Sequence, residues 1–158
     1  MLIRVILTVS VGRATSSMPG KVFLDANILV YAQDNGSPDK QRKSREVIAQ
    51  LTASGDGVIS TQVIQEFYVA ATRKLKVQPL AAKGVLKTFA VFEIVQVTPE
   101  LIQEAVDCSI LNELSFCDAL ILAAAAAAGC STAYSEDLNA GQTIMGVRVQ
   151  NPLLTAIE

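Results

Sequence analysis

Residues 21–32 read KVFLDANILVYA, and how that stretch is interpreted decides the fold. It is an almost continuous apolar run, the pattern of a strand covered on both faces of a parallel sheet. Asp25 stands in its middle. A carboxylate held there ionised and unpaired costs several kcal/mol, or else its pKa rises. Two arrangements resolve the conflict: the strand ends at Asp25 and the chain turns, or something cationic meets the side chain. In open α/β sheets the junctions where strands end and helices begin are also where ligands bind.

Working outward, strand and helix signals alternate. Ser37 and Pro38 supply an N-cap and a first helical position for a helix over 38–52, with Val47, Ile48 and Leu51 inward and Lys40, Arg42, Lys43 and Arg45 outward. Gly55-Asp56-Gly57 breaks it. Val58-Ile59 is a short strand, and Ser60 or Thr61 caps a helix to about residue 75 whose Val63, Ile64 and Phe67 fall at helical spacing. Pro79 opens a further helix to about residue 89, residues 92–97 read as a strand, and Thr98-Pro99-Glu100 starts the next helix. Ser115 to Asp118 begin a helix that stops at Gly129. Its alanines 123–128 leave so little side chain that it packs close to the sheet or a neighbour. Residues 131–135 read as a strand, 136–142 as a loop and 144–149 as a last strand. The alternation predicts an α/β fold, a central mainly parallel sheet flanked by helices in three layers.

The chain has 158 residues, no histidine and a net charge of −2. Without imidazole, Ser-His-Asp and Cys-His catalysis and histidine-ligated zinc drop out, leaving Asp, Glu, Lys, Tyr or metal-bound water for acid–base work. Cys108, Cys117 and Cys130 lack metal-ligand spacing and make an odd number, so they read as reduced core residues in a cytoplasmic protein. No apolar run reaches the roughly 20 residues of a membrane span, and the high apolar content points to a partner or to self-association. Residues 1–20 fit the domain poorly: they read as an extension with Met18 as the functional start, the alternative being a faint signal-peptide resemblance. Residues 21–158 are then one domain.

Four acids fall at comparable junctions: Asp25, Glu66, Asp118 and Asp137. Each has an ordinary alternative. Asp25 suits a cap, and Glu66 suits the favourable N-terminal part of an exposed helix. Asp118 completes Ser115-x-x-Asp118, a capping-box pattern. Asp137 suits an exposed loop, and its neighbour Glu136 reads as solvated. Their shared position at strand-to-helix junctions leads to the expectation that the four converge to hold a divalent metal. Carboxylates crowded together repel one another and so take up protons or cations, and their hard oxygens suit Mg²⁺ or Mn²⁺.

In their order along the chain, FLDANILVYA, the glutamate of STQVIQEFY, SFCDALILAAAAAAGC and AYSEDLNAGQ, together spanning 22–142, make the sequence resemble PIN-domain nucleases, and among them the VapC-type toxins of toxin–antitoxin pairs. The resemblance implies a parallel-sheet α/β fold and a metal-dependent ribonuclease that leaves a 5′-phosphate and a 3′-hydroxyl. Asp25 and Asp118 are then primary metal ligands, Glu66 a ligand directly or through water, and Asp137 the second-metal or water-positioning acid. Asn27 and Ser135 match positions that orient the site. The resemblance further implies a homodimer silenced by a small antitoxin protein. Lys40, Arg42, Lys43, Arg45, Arg73, Lys74 and Lys76 are available to hold the RNA backbone, although charged helix faces are usually only solvated.

Two rivals stand beside this reading. Asp25-Ala26-Asn27 after an apolar strand resembles haloacid-dehalogenase-like phosphatases, whose aspartate nucleophile is followed two residues on by a second acid; here that residue is Asn27. The other is a non-catalytic binding module on a nuclease-like scaffold.

Overall fold

The structure, a computed structural model, describes residues 20–154; the extension expected over residues 1–20 lies, Gly20 apart, outside them. A six-stranded sheet forms the middle layer, in the order β3-β2-β1-β4-β6-β5. Its strands are β1 (Val22–Leu24), β2 (Gly57–Ser60), β3 (Glu93–Val95), β4 (Thr132–Tyr134), β5 (Thr143–Ile144) and β6 (Val147–Gln150). Every pairing is parallel except β5 with β6. The flanking helices are α1 (Ala26–Tyr31), α2 (Pro38–Ser54), α3 (Thr61–Arg73), α4 (Pro79–Thr88), α5 (Pro99–Asn112) and α6 (Phe116–Ala127), with a 3₁₀ turn at Phe89–Val91. The three-layer, mainly parallel fold is the one the alternation of signals predicts.

The opening stretch takes the first of its two arrangements. Val22, Phe23 and Leu24 form a fully buried strand, and then Asp25 turns the chain as N-cap of α1. The strand is therefore shorter than the apolar run. Ile28 and Leu29 continue that run as the buried face of α1, a change of period that an unbroken apolar string does not display.

β1 lies at the centre, and the chain leaves it in two directions: β2 and β3 build out on one side, β4, β6 and β5 on the other. The crevice between the carboxyl ends of β1 and β4 is thus the switch point at which ligands bind in open α/β sheets. α6 covers this middle of the sheet, touching β2, β4 and β6 and packing along α5. Ala119 and Ala123 to Ala125 are wholly buried there, as expected of a helix with almost no side chain to hold it away.

Three local expectations need correction. Ser37 makes no side-chain cap bond, and Pro38, which has no N–H to satisfy, begins α2 alone. The outward cations of α2 are not all solvated: the Arg45 guanidinium donates to the Ala32 carbonyl at 2.9 Å and the Lys43 ammonium to the Leu153 carbonyl at 3.0 Å. The single last strand is a hairpin. Met145 and Gly146, at φ of 52° and 76°, form a two-residue turn between Ile144 and Val147, which face each other in the ladder. Positive φ at both central residues is the signature of the tight turn whose twist matches antiparallel strands, and a methionine at its first position hides that signal.

Candidate active site

The site begins with the pairing of β1 and β4. Leu24 lies opposite Tyr134, and the Asp25 N–H donates to the Tyr134 carbonyl at 3.0 Å. The first residues beyond the two strands, Asp25 and Ser135, are thereby set side by side. The Ser135 hydroxyl donates to Asp25 Oδ2 at 2.7 Å, and Asp25 Oδ1 accepts the Ala26 N–H, also at 2.7 Å. Asp25 is only 6% exposed. Burial is the main influence on its carboxyl and drives the pKa up. The two hydrogen bonds oppose this, the negative charges of Glu66 and Asp137 add to it, and the result is pushed up to about 6.

Ser135 also gathers the loop that follows β4. Its Oγ accepts the backbone N–H groups of Asp137 at 3.1 Å and Leu138 at 3.3 Å, and the Asn27 amide at 3.4 Å. The same Asn27 amide donates to Asp137 Oδ2 at 3.1 Å, and its carbonyl oxygen accepts the Glu136 N–H at 3.4 Å. Asn27 and Ser135 together hold Asp137 at the rim above Asp25.

Glu66 and Asp118 stand on two other elements, α3 and α6. Ser60 caps α3, accepting the Val63 N–H, and Glu66 follows in the second turn, half-buried. The Gln62 amide donates to Glu66 Oε1 at 2.9 Å and to the Cys117 carbonyl at 3.1 Å, so α3 is tied to the first turn of α6, one residue before Asp118. Ser115 caps that helix by accepting the Asp118 N–H at 3.2 Å, the half of the capping box that concerns the backbone. Asp25, Asn27, Ser135 and Asp137 are thus joined by direct hydrogen bonds. Glu66 reaches Asp25 through its charge, and Asp118 is linked through the chain and Gln62.

Among the described residues no three Asp, Glu or Cys side chains crowd closely enough to cage a metal unaided. The donor set nonetheless fits a hard divalent cation. It consists of carboxylate oxygens, and its central member holds a proton well above the usual carboxylate range, chiefly because it is buried and in smaller part because Glu66 and Asp137 lie near it. Mg²⁺ keeps several waters and takes one or two carboxylates together with substrate phosphate, so it does not require an all-protein cage.

The family profile for the PIN domain matches residues 22–143, from the start of β1 to the first residue of β5. This chain belongs to the PIN domain family. No curated protein sequence matches it. Its fold is similar to that of VapBC from Salmonella typhimurium bound to DNA, with a TM-score of 0.63 and 19% identity over 84% of this chain and 98% of that one. VapBC2 from Rickettsia felis, bound to a fragment of its promoter, gives 0.60 and 19% over 82% and 97%. VapC20 of Mycobacterium tuberculosis, a toxin that cleaves the sarcin-ricin loop, gives 0.56 and 20% over 74% and 92%.

The PIN domain holds geometry around the candidate site that the sequence did not disclose. Glu136 is no solvated bystander: Lys40 donates to its Oε1 at 2.7 Å, the Tyr31 hydroxyl donates to the same oxygen at 3.3 Å, and the Lys40 ammonium sits 4.6 Å above the Tyr31 ring centre. Lys40, a candidate RNA contact from sequence, is thereby engaged in fastening the Asp137 loop to α2. Arg42 pairs with Glu46, whereas Arg73 and Lys74 are exposed at the end of α3. Gln62 was also missed, although glutamine four residues before glutamate in a first helical turn is a readable pairing. Cys117 proves exposed, unlike buried Cys108 and Cys130. An apolar cavity of about 330 Å³, lined by residues such as Leu29, Ile48, Val85 and Phe92, includes none of the four acids.

Proposed function

We propose that this PIN domain is a metal-dependent endoribonuclease and the toxin of a toxin–antitoxin pair, with Asp25, Glu66, Asp118 and Asp137 as the acids that hold Mg²⁺ or Mn²⁺. The observation that carries the reading is Asp25 itself: a buried carboxyl, at a switch point, whose proton is retained by burial and by two neighbouring acids. A structure built only for stability gains nothing from such a group. The toxin described for Mycobacterium tuberculosis cleaves the sarcin-ricin loop, and the Salmonella and Rickettsia structures are VapBC bound to DNA; these likenesses support an RNA substrate and a small antitoxin partner, and homodimer formation belongs to the same proposal.

When bound, the cation supplies positive charge to the phosphate and an acidified water. The chain's part is to present the oxygens. Ser135 and Ala26 hold Asp25 in one rotamer, and Asn27 keeps Asp137 beside it. Glu66 and Asp118 complete the proposed acid set, tied to each other through Gln62 and the Cys117 carbonyl. Exposed Arg73, Lys74 and Lys76 are the cations best able to meet RNA backbone, with Arg42, Lys43 and Arg45 less so because each already has a partner. The phosphatase alternative finds no support: Asn27 occupies the place of its second acid and spends its amide on Asp137 and Ser135.

The test is cleavage of RNA by the purified chain with Mg²⁺ or Mn²⁺, with chelator, and by Asp25→Asn. Expected are cleavage only with metal and a loss of at least about 100-fold in the variant, in line with removal of a charge-stabilising group. Cleavage that survives both chelator and Asp25→Asn would overturn the proposal.

A further inference from the structure

We infer that Gln62 is a positioning residue of the acid site, fixing the Glu66 carboxylate to the first turn of α6 so that Glu66 and Asp118 act as one unit. The inference rests on the nuclease reading and concerns a residue that reading does not use. Gln62 is 7% exposed, an unusual place for an amide. Both Nε2 hydrogens are spent on acceptors: Glu66 Oε1 at 2.9 Å, four residues on in the same helix, and the Cys117 carbonyl at 3.1 Å, fifty-five residues away. Since both partners only accept, the amide has one possible orientation, and Oε1 is left buried without a donor among the described residues.

That unmatched oxygen is informative. A buried acceptor without a partner is destabilising, and an apolar side chain of the same length avoids the penalty. Packing alone therefore does not account for glutamine here. What the amide achieves is a fixed relation between a carboxylate on α3 and the turn that carries Asp118. In sites that bind a metal, groups that orient the ligand carboxylates change affinity by roughly 10- to 100-fold when removed.

The experiment measures Mn²⁺ affinity by calorimetry, thermal midpoint in chelator, and cleavage, for the full chain and for Gln62→Met, with Gln62→Leu as a second variant. Expected are a Tm within about 4 °C of the parent, Mn²⁺ affinity weakened roughly 10-fold or more, and cleavage that recovers in part at high Mn²⁺. In a Glu66→Gln background Gln62→Met should weaken affinity by less than about 2-fold further, because the two residues act through the same bond. Undiminished Mn²⁺ affinity in the folded variants, an equal loss with and without Glu66, or failure of both variants to fold would each overturn the inference. A parent chain that binds no Mn²⁺ and cleaves no RNA would instead overturn the nuclease reading beneath it.

Discussion

At the scale of single residues, Asp25 governs the behaviour of the site. Its folded pKa, about 6, stands above the ordinary 3.8, so between those values the folded chain binds a proton that the unfolded chain has released. Stability must therefore fall as pH rises through that window, and the loss is complete above the folded value. About two units at 1.36 kcal/mol each amount to about 3 kcal/mol. In chelator, the stability of the parent relative to Asp25→Asn should decline by about that amount between roughly pH 3.5 and pH 7, measured by urea unfolding. A difference that stays flat over that range would mean Asp25 ionises as an ordinary surface acid. This residue was legible from sequence because a charge inside an apolar run demands an explanation. Ser135 and Asn27 came only through resemblance: their importance lies in hydrogen bonds across about 110 residues, for which local pattern carries no trace.

At the scale of elements, caps and breakers were the readable signals. Ser60, Thr98 and Ser115 each accept the N–H three residues on, and Gly55 ends α2 in the left-handed conformation. Gly57 was readable only as a breaker, and its actual constraint is contact. A Cβ at Gly57 would lie 2.6 Å from Phe92 Cδ1 and 2.9 Å from Cε1, while Phe92 itself is buried and faces Phe89. Gly57→Ala should thus displace the ring and destabilise the fold by about 1–3 kcal/mol, with the pH dependence of Asp25 unchanged. Chemical denaturation checks the first and titration the second. Lys40, Tyr31 and Glu136 escaped the reading because a charged side chain on an amphipathic helix has the same sequence signature whether it meets water or a loop from the far end of the chain.

For the whole molecule, the arrangement predicts a coupling between fold and cation. Anything that binds the folded state alone stabilises it by mass action, by about 2.7 kcal/mol at 100 times its Kd. On the proposed metal site Mg²⁺ and Asp25's proton would compete for the same oxygens, so the rise in Tm on adding Mg²⁺ should be larger near pH 7.5 than near pH 5. An equal rise at both would place the ion away from Asp25. The order of layers was legible from the alternation of strand and helix signals, and the crevice was not, since strand order depends on pairings between distant segments.

The Asp25–Ser135 bond has a consequence for synthesis. Its partners are 110 positions apart, and Asp25 gains its second hydrogen bond only when β4 slots in beside β1. A ribosome-bound fragment ending near residue 130 can pair β1 with β2 but has neither Ser135 nor Asp137. The hydrogen-bonded group around Asp25 is therefore incomplete until the chain beyond residue 130 has been made and β4 has paired with β1.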